Sequence, residues 1–367
     1  MSGIQALARM YRRFGGIDAA GKSSLYERVA VALSGSEEAM RAIGAVPARR
    51  RHPRVILTAL HDLALAGRAP ALAAAHAAMD GDAAAGAAID TLLHMTDEVV
   101  AIAVRRRVRT DETGRHAVLY PAIAEAARRT GATAVGLIDP GCSAGFNLTV
   151  DRVGITYSDG VSLGDPSSPV RLSASIVAGR SVPTGAMPRV VTRIGIDTEP
   201  LDVTDADDAR WLRACLWPDR PDRTERLARL EAETALTTTV PPLLLRGDPV
   251  RMLPDALTRV PADALPVVIT TWTLSRFPPG SRPRFLHHLH EAAAGRPVAW
   301  VSAEGVGVAP TIPTLGDRPA SGHSIIGLAI LDRSAPREVT AEALGRCWSR
   351  GRMVAWTADS GSADPGS

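Results

Sequence analysis

Near residue 117 the hydrophobic period of this chain changes, and that change limits what it can fold into. From Gln5 to about Arg107 apolar residues recur at helical spacing, as in Val55, Leu57, Leu60, Leu63 and Leu65, and again in Ile89, Leu92, Leu93, Val99, Ile102 and Val104. This predicts a helical domain over residues 1–116. From Ala117 the pattern becomes a helix to Thr130, a short apolar run from Thr133 to Ile138, and a glycine-bearing turn. β-type runs then alternate with helical ones: Val190–Ile196, Pro242–Leu245, Pro266–Thr271 and Pro297–Ser302 between helices near Asp205–Leu216, Arg223–Ala235, Val250–Leu257 and Arg282–Ala294. Such alternation predicts an α/β domain over 117–358 with a mainly parallel sheet. Ser324–Leu331 and Arg352–Thr357 read as two final strands flanking a helix from Thr340 to Ser349. The Ser-, Gly- and Pro-rich stretch 159–188 reads as a surface insertion of loops or a hairpin, and 359–367 as a disordered tail.

Composition narrows the classes. No apolar run approaches the roughly 18 residues of a membrane span, and the first residues lack the order of a secretory signal, which leaves a cytoplasmic location as the expectation. The net charge is only +3, and the clusters Arg49–Arg51 and Arg105–Arg107 have no adjacent aromatics on which bases would stack, so neither nucleic acid nor membrane is an expected partner. Cys142, Cys215 and Cys347 are too far apart for a disulfide framework or a zinc site. No metal is expected.

The candidate site begins at Asp139-Pro140-Gly141-Cys142-Ser143-Ala144-Gly145-Phe146-Asn147, directly after a buried strand. In an open α/β sheet, ligands bind outside the carboxyl ends of the strands, where small residues such as Gly141, Ala144 and Gly145 let backbone amides come close. Gly247-Asp248 follows Leu243–Leu245, where an acid can accept from an adenine amino group, and Thr271-Trp272 ends the next strand. The acid that holds a cofactor ribose normally ends the second strand. Asp197 is the better candidate for it, and Asp151 lies nearer in sequence but has no strand before it.

A glycine turn after the first strand, Gly-Asp after the third, a polar end to the fourth and two closing strands together resemble class I S-adenosylmethionine-dependent methyltransferases. More closely, the chain resembles an uncharacterised, largely actinobacterial family whose first turn reads Glu-Leu-Gly-Ala-Ser-Ala-Gly-Leu-Asn-Leu, matched here by Asp139 to Leu148 and followed by Asp151-Arg152. The family's Arg-x-x-Gln-Thr-Asn-Glu-x-x-Arg motif is matched by Arg106, Arg109, Thr110, Asp111, Glu112 and Arg115. Its Arg-x-Gly-x-Asp and Trp-Pro segments are matched by Arg193, Gly195, Asp197, Trp217 and Pro218. Asp139-Pro140 stands where the family has Glu-Leu, and Thr271-Trp272 replaces a His-Ser-like pair.

The resemblance implies a Rossmann-type methyltransferase sheet with an N-terminal helical cap, S-adenosylmethionine as cofactor, and a small-molecule substrate. Cofactor contacts are expected from Arg109, Thr110, Arg115, Asp139, Gly141, Ser143, Ala144, Gly145, Asn147, Asp197, Gly247, Asp248, Thr271 and Trp272. Arg109 or Arg115 can pair with the carboxylate of the methionine moiety while Asp111 or Glu112 accepts from its ammonium; the same four residues can equally be a salt-bridge cluster at the domain junction. Asp111, Glu112 and Tyr157 are the candidate catalytic groups, with Tyr157 also readable as a core tyrosine. The alternative to methyl transfer is cyclisation of the aminocarboxypropyl arm with release of methylthioadenosine, and a third reading is a non-catalytic binding module. Gly16 to Ser23 fits the Walker A expression, but Gln5–Phe14 before it reads as an amphipathic helix instead of the buried strand a P-loop needs.

Overall fold

The computed structural model describes residues 3–109, 114–278 and 280–358. In chain order come α1 (Gly3–Arg13), α2 (Ser24–Gly35), α3 (Glu37–Gly44), α4 (Pro53–Leu65), α5 (Pro70–Ala77), α6 (Gly81–His94), α7 (Thr96–Arg105) and α8 (His116–Thr130). Then follow β1 (Ala134–Pro140), β2 (Gly154–Tyr157), β3 (Ser162–Gly164), β4 (Arg171–Gly179), β5 (Arg189–Asp197), α9 (Ala206–Ala214) and α10 (Arg223–Thr239). The chain continues with β6 (Leu243–Arg246), α11 (Leu253–Thr258), β7 (Leu265–Thr271), α12 (Ser281–Ala292), β8 (Val298–Gly305), β9 (Ser324–Leu331), β10 (Val339–Trp348) and β11 (Met353–Trp356). Among the described residues no single helix is long and apolar enough to cross a membrane.

The chain divides into two compact units. One comprises 1–111 with 204–231, the other 112–203 with 232–367. The sequence boundary at 116 lies close to the first division, but 204–231, read from sequence as part of the α/β domain, belongs to the helical unit. The reason is side-chain chemistry on α9: Trp211 Nε1 donates to Arg107 O at 2.9 Å and Arg210 Nε to Asp62 Oδ1 at 2.9 Å, both within the helical unit. Trp217, just beyond α9, packs with Phe14 and Tyr26 at centroid distances of 6.0 and 5.4 Å.

The α/β unit holds an 11-stranded sheet in the order β3-β2-β4-β11-β10-β9-β8-β7-β1-β5-β6, mostly parallel. Strands β6, β5, β1, β7 and β8 run parallel to one another, and β9 and β10 return antiparallel. The central strands β1 and β7 are buried along their whole length, and β8 up to its last residue, because both faces are covered, and they are apolar except toward their carboxyl ends. In β1, Val135 and Leu137 enter the core shared with α8, whereas Ala134 and Ile138 enter the core shared with α11 and α12.

Two expectations are corrected here. Thr340–Ser349 is not a helix: β10 pairs along its length with β9 and at its end with β11. Its Ala-Glu-Ala-Leu composition favours helix locally, but ladder hydrogen bonds on both sides decide the outcome. The 159–188 stretch is not merely a surface insertion, since β3 and β4 extend the sheet and β4 pairs in parallel with β11. Leu172 and Ala174 are buried on alternate positions of β4, a period of two that the surrounding Ser and Gly conceal in the sequence. The tail 359–367 lies outside the described residues.

Candidate functional site

The order of the parallel strands reverses between β1 and β7, since β5 and β6 lie on one side of β1 and β7 and β8 on the other. In open α/β sheets the crevice beyond the carboxyl ends of the strands at such a reversal is the usual ligand position. Here those ends carry polar residues that are nevertheless buried: Asp139 on β1, Asp197 on β5, Thr271 on β7 and Glu304 on β8. Buried polar groups clustered at one end of an otherwise apolar sheet need a reason beyond stability.

Asn147 joins two of these ends. Its Nδ2 donates to Asp139 Oδ2 at 2.9 Å and to Thr271 Oγ1 at 3.2 Å. Arg115, at the start of α8, donates through Nη1 to Thr271 Oγ1 at 2.9 Å and to Thr271 O at 3.3 Å. Its guanidinium lies 5.3 Å from the centroid of the Trp272 ring, and that of Arg350 lies 5.6 Å from the same ring, within the range of a cation–π attraction. Trp272 Nε1 donates to Ser324 Oγ at 2.7 Å, which holds the ring in place. Trp272 and Ser143 both adopt positive φ, 51° and 56°, without being glycine. Such strain persists only where the surroundings hold it, and it concentrates at ligand sites.

Burial pushes the Asp139 carboxyl up to about 6, against the opposing pull of the Asn147 hydrogen bond and of Arg115. Asp139 thus changes protonation close to neutral pH, which suits a group that moves a proton. Burial also raises Glu304, whose Oε1 accepts from the backbone N–H groups of Thr273 and Leu274 at 2.9 and 3.0 Å. Its other oxygen, Oε2, is buried and meets no hydrogen-bond donor among the described residues. Burial lowers the pKa of the Arg115 guanidinium, and Asp139, Glu304 and Glu233 act in the opposite sense.

The glycine turn is built by backbone and carboxylate together. Gly141 N donates to Ile196 O at 2.6 Å, and Ser143 N donates to Asp197 Oδ2 at 3.1 Å. Gly141 and Gly145 have φ of 87° and 78°, which only glycine adopts freely, and a Cβ on Gly145 would lie 3.0 Å from Pro242 Cγ. Ala144 is buried within the turn. Asp197 Oδ1 accepts from Glu199 N at 2.9 Å, so both oxygens of that carboxylate engage the backbone around the turn. Asp151 is held bidentately by Arg193 at 2.7 and 2.8 Å, which makes it a structural ion pair. Gly247 N donates to Asp197 O at 2.9 Å, and the exposed Asp248 caps its own turn by accepting from Val250 N and Arg251 N.

The structure therefore gathers Arg115, Asp139, Asn147, Thr271 and Trp272 into one cluster, with Asp197 beneath the adjoining turn. Tyr157 is not among them. It is buried on β2 with its hydroxyl donating to Ala117 O at 2.6 Å, and burial raises its pKa well above its ordinary value, so it stays a protonated core tyrosine. Arg109 belongs to the helical unit, where its N–H donates to Cys215 Sγ at 3.3 Å. Thr110, Asp111 and Glu112 lie outside the described residues. The sequence reading missed Glu304. Its signal was an acid closing the apolar run Val298–Ala303, the same position at a strand end that marks Asp139.

In the helical unit the Walker-like segment is not a phosphate cradle. Helix α1 precedes it in place of a strand, and a π-helical turn over Phe14–Ala19 runs into it. The N-terminus of α2 is already taken by the Asp219 carboxylate, which accepts from Leu25 N at 2.8 Å, from Ser24 Oγ at 3.0 Å and from Ser23 Oγ. No group of metal-binding side chains occurs among the described residues, and His287, His288 and His290 lie along α12, where His287 and His288 face Glu291.

No curated protein and no solved structure matches the chain. A family model described as an uncharacterised protein conserved in bacteria (DUF2332) matches residues 8–356, and nothing in the match indicates a methyltransferase. Spanning nearly the whole chain, that match places this protein as a member of the DUF2332 family of bacterial proteins.

Proposed function

We propose that this chain is an S-adenosylmethionine-dependent enzyme with a Rossmann-type methyltransferase sheet, and that it transfers a methyl group to a small molecule. The observation that carries this reading is the network of Asn147, Asp139, Thr271 and Arg115 at the point where the strand order reverses. The donor set fits the amino-acid end of the cofactor. Arg115 offers a guanidinium for a carboxylate, and Asp139 with the unmatched Glu304 Oε2 offers acceptors for an ammonium. Asp197 and Asp248, ending β5 and following β6, stand for ribose hydroxyls and an adenine amino group.

When bound, the cofactor supplies an electron-poor methyl carbon beside a positive sulfur. The protein's part is to orient the reactants and exclude water. Asp139, titrating near neutrality, can take a proton at its carboxylate from an acceptor nucleophile, while Asn147 keeps that carboxylate in one orientation.

A second reading keeps the cofactor but cyclises its aminocarboxypropyl arm with release of methylthioadenosine. Asp139 serves it as well, as the base that such a ring closure needs. Calorimetry of the full chain with S-adenosylmethionine and S-adenosylhomocysteine tests the cofactor, and mass spectrometry of the products separates the reactions. Turnover only with an acceptor, leaving S-adenosylhomocysteine, is the expected result. Acceptor-independent methylthioadenosine with a cyclic amino acid selects the second reading, and a lack of response to either sulfur compound removes both.

A further inference from the structure

Glu304 is fixed at one oxygen and open at the other. Oε1 is committed to two backbone N–H groups at the exit of β7, which fixes the orientation of the carboxylate. Oε2 is buried and has no donor among the described residues. The residue is 1% exposed, so bulk water does not solvate it. An acceptor left in that condition is costly, and more so when charged. Around it, Arg115 is a buried cation and Arg350 lies over the same Trp272 ring, while Asp139 and Glu304 are both buried acids. Arg276 adds positive charge from an exposed position, and Glu233 adds negative charge near Arg115. A buried carboxylate with an open oxygen is best met by a donor that itself carries positive charge.

We propose that Glu304 Oε2 receives a protonated amine of the bound ligand, so that the site takes ammonium-bearing compounds in preference to neutral alcohols. This deepens the cofactor reading and rests on it only for the identity of the nucleoside. The amine has two possible sources, the α-amino group of the cofactor or an amine on the acceptor, and both present the same chemistry to Glu304.

Glu304→Gln separates them. The amide keeps an oxygen for Thr273 N and Leu274 N but places a donor where Oε2 stood, so an ammonium is repelled at nearly constant shape. Affinities are measured with the full chain for S-adenosylhomocysteine, for methylthioadenosine, which lacks the amino-acid arm, and for propylamine against its isostere 1-propanol. If the amine is the cofactor's, the variant weakens S-adenosylhomocysteine about tenfold to a hundredfold and leaves methylthioadenosine unchanged. If it is the acceptor's, propylamine weakens by that factor and S-adenosylhomocysteine does not. Propylamine binding that depends on Glu304 in a protein that binds neither sulfur compound sustains this inference and removes the cofactor reading. The inference is overturned if a folded Glu304→Gln binds S-adenosylhomocysteine and propylamine as the wild type does, if 1-propanol equals propylamine while S-adenosylhomocysteine is unaffected by the variant, or if the wild type binds neither amine. Should the variant fail to fold, the wild type and Asp139→Asn are titrated with propylamine against pH. Affinity that falls in both on acidification, as the carboxylate is protonated, supports the inference; pH-independent affinity overturns it.

Discussion

The helical unit and the strand-end cluster of the α/β unit both bury ionisable groups, but acid and base act on them in opposite directions. In the helical unit, carboxylates meet partners of their own chain: Asp62 with Arg210, Asp208 with Arg106, and Asp219 with the start of α2. Burial raises Asp62 as well, but Arg210 and Arg106 act against it. Its buried histidines are kept neutral. Burial pushes His61 down to about 3 and His76 to about 4, their rings 5.2 Å apart. At the strand ends the buried groups are acids, Asp139 and Glu304, whose pKa values burial raises. Where chain partners satisfy a charge, the arrangement serves folding. At Glu304 the acid stays raised and one oxygen meets no donor among the described residues, the condition that marks a candidate ligand site.

The largest effect that tests this contrast is acid lability. A histidine whose folded pKa is depressed supplies stability that is present above its unfolded value and is lost as pH falls toward the folded one. His61 and His76 together therefore cost about 3 kcal/mol between pH 6.5 and 5, since the unfolded rings are already half protonated at the start of that range. His116, buried in the α/β unit and lowered to about 4, adds a loss of the same sign. Urea denaturation of a His61→Asn/His76→Asn double variant is expected to show a much shallower decline over this range. An unchanged decline would mean that these rings are not the acid-sensitive element.

Asp139 gives the opposite slope at comparable size. Its folded pKa, about 6, lies above the unfolded value, so its contribution is fully present below about pH 4 and is lost as pH rises through 6. The shift corresponds to about 3 kcal/mol. The difference in stability between wild type and Asp139→Asn, followed from pH 4 to 7, is expected to move in favour of the variant. A flat difference would place this carboxyl in a more solvated setting.

Asp219→Ala and Gly145→Val separate folding from binding. The first removes an acceptor shared by three donors at the start of α2, at a cost of about 2–3 kcal/mol in chemical denaturation, with any affinity for S-adenosylhomocysteine unchanged. The second forces a branched side chain into φ 78° with its Cβ against Pro242, at about 2 kcal/mol, and is expected to abolish that affinity while the protein still folds. Reversal of the two binding results would move the ligand site away from the glycine turn.

Much of the α/β unit was legible because its signals are short-range. Apolar runs such as Val135–Ile138 and Val267–Ile269 can only be central strands or core helix, and their length with the glycines that follow β1 decides for strand. Asp139, Asn147 and Thr271 could be named because strand ends and tight turns are local features. Arg115 was singled out too, as a grip on a carboxylate, while its hydrogen bonds to Thr271, which join residues far apart in sequence, were not legible.

Hydrophobic period and glycine placement act within a few residues, and they made the helical and α/β halves, the central strands and the position of the turn readable from the chain alone. That Thr340–Trp348 is a strand, that 204–231 joins the helical unit, that Asp139 is pushed up to about 6 and that Glu304 keeps an oxygen without a donor among the described residues emerged only from long-range contacts. One cause is common to all four: strand pairing, desolvation and hydrogen-bond satisfaction depend on groups brought together from distant parts of the chain, and a local reading of residues cannot register what will surround them.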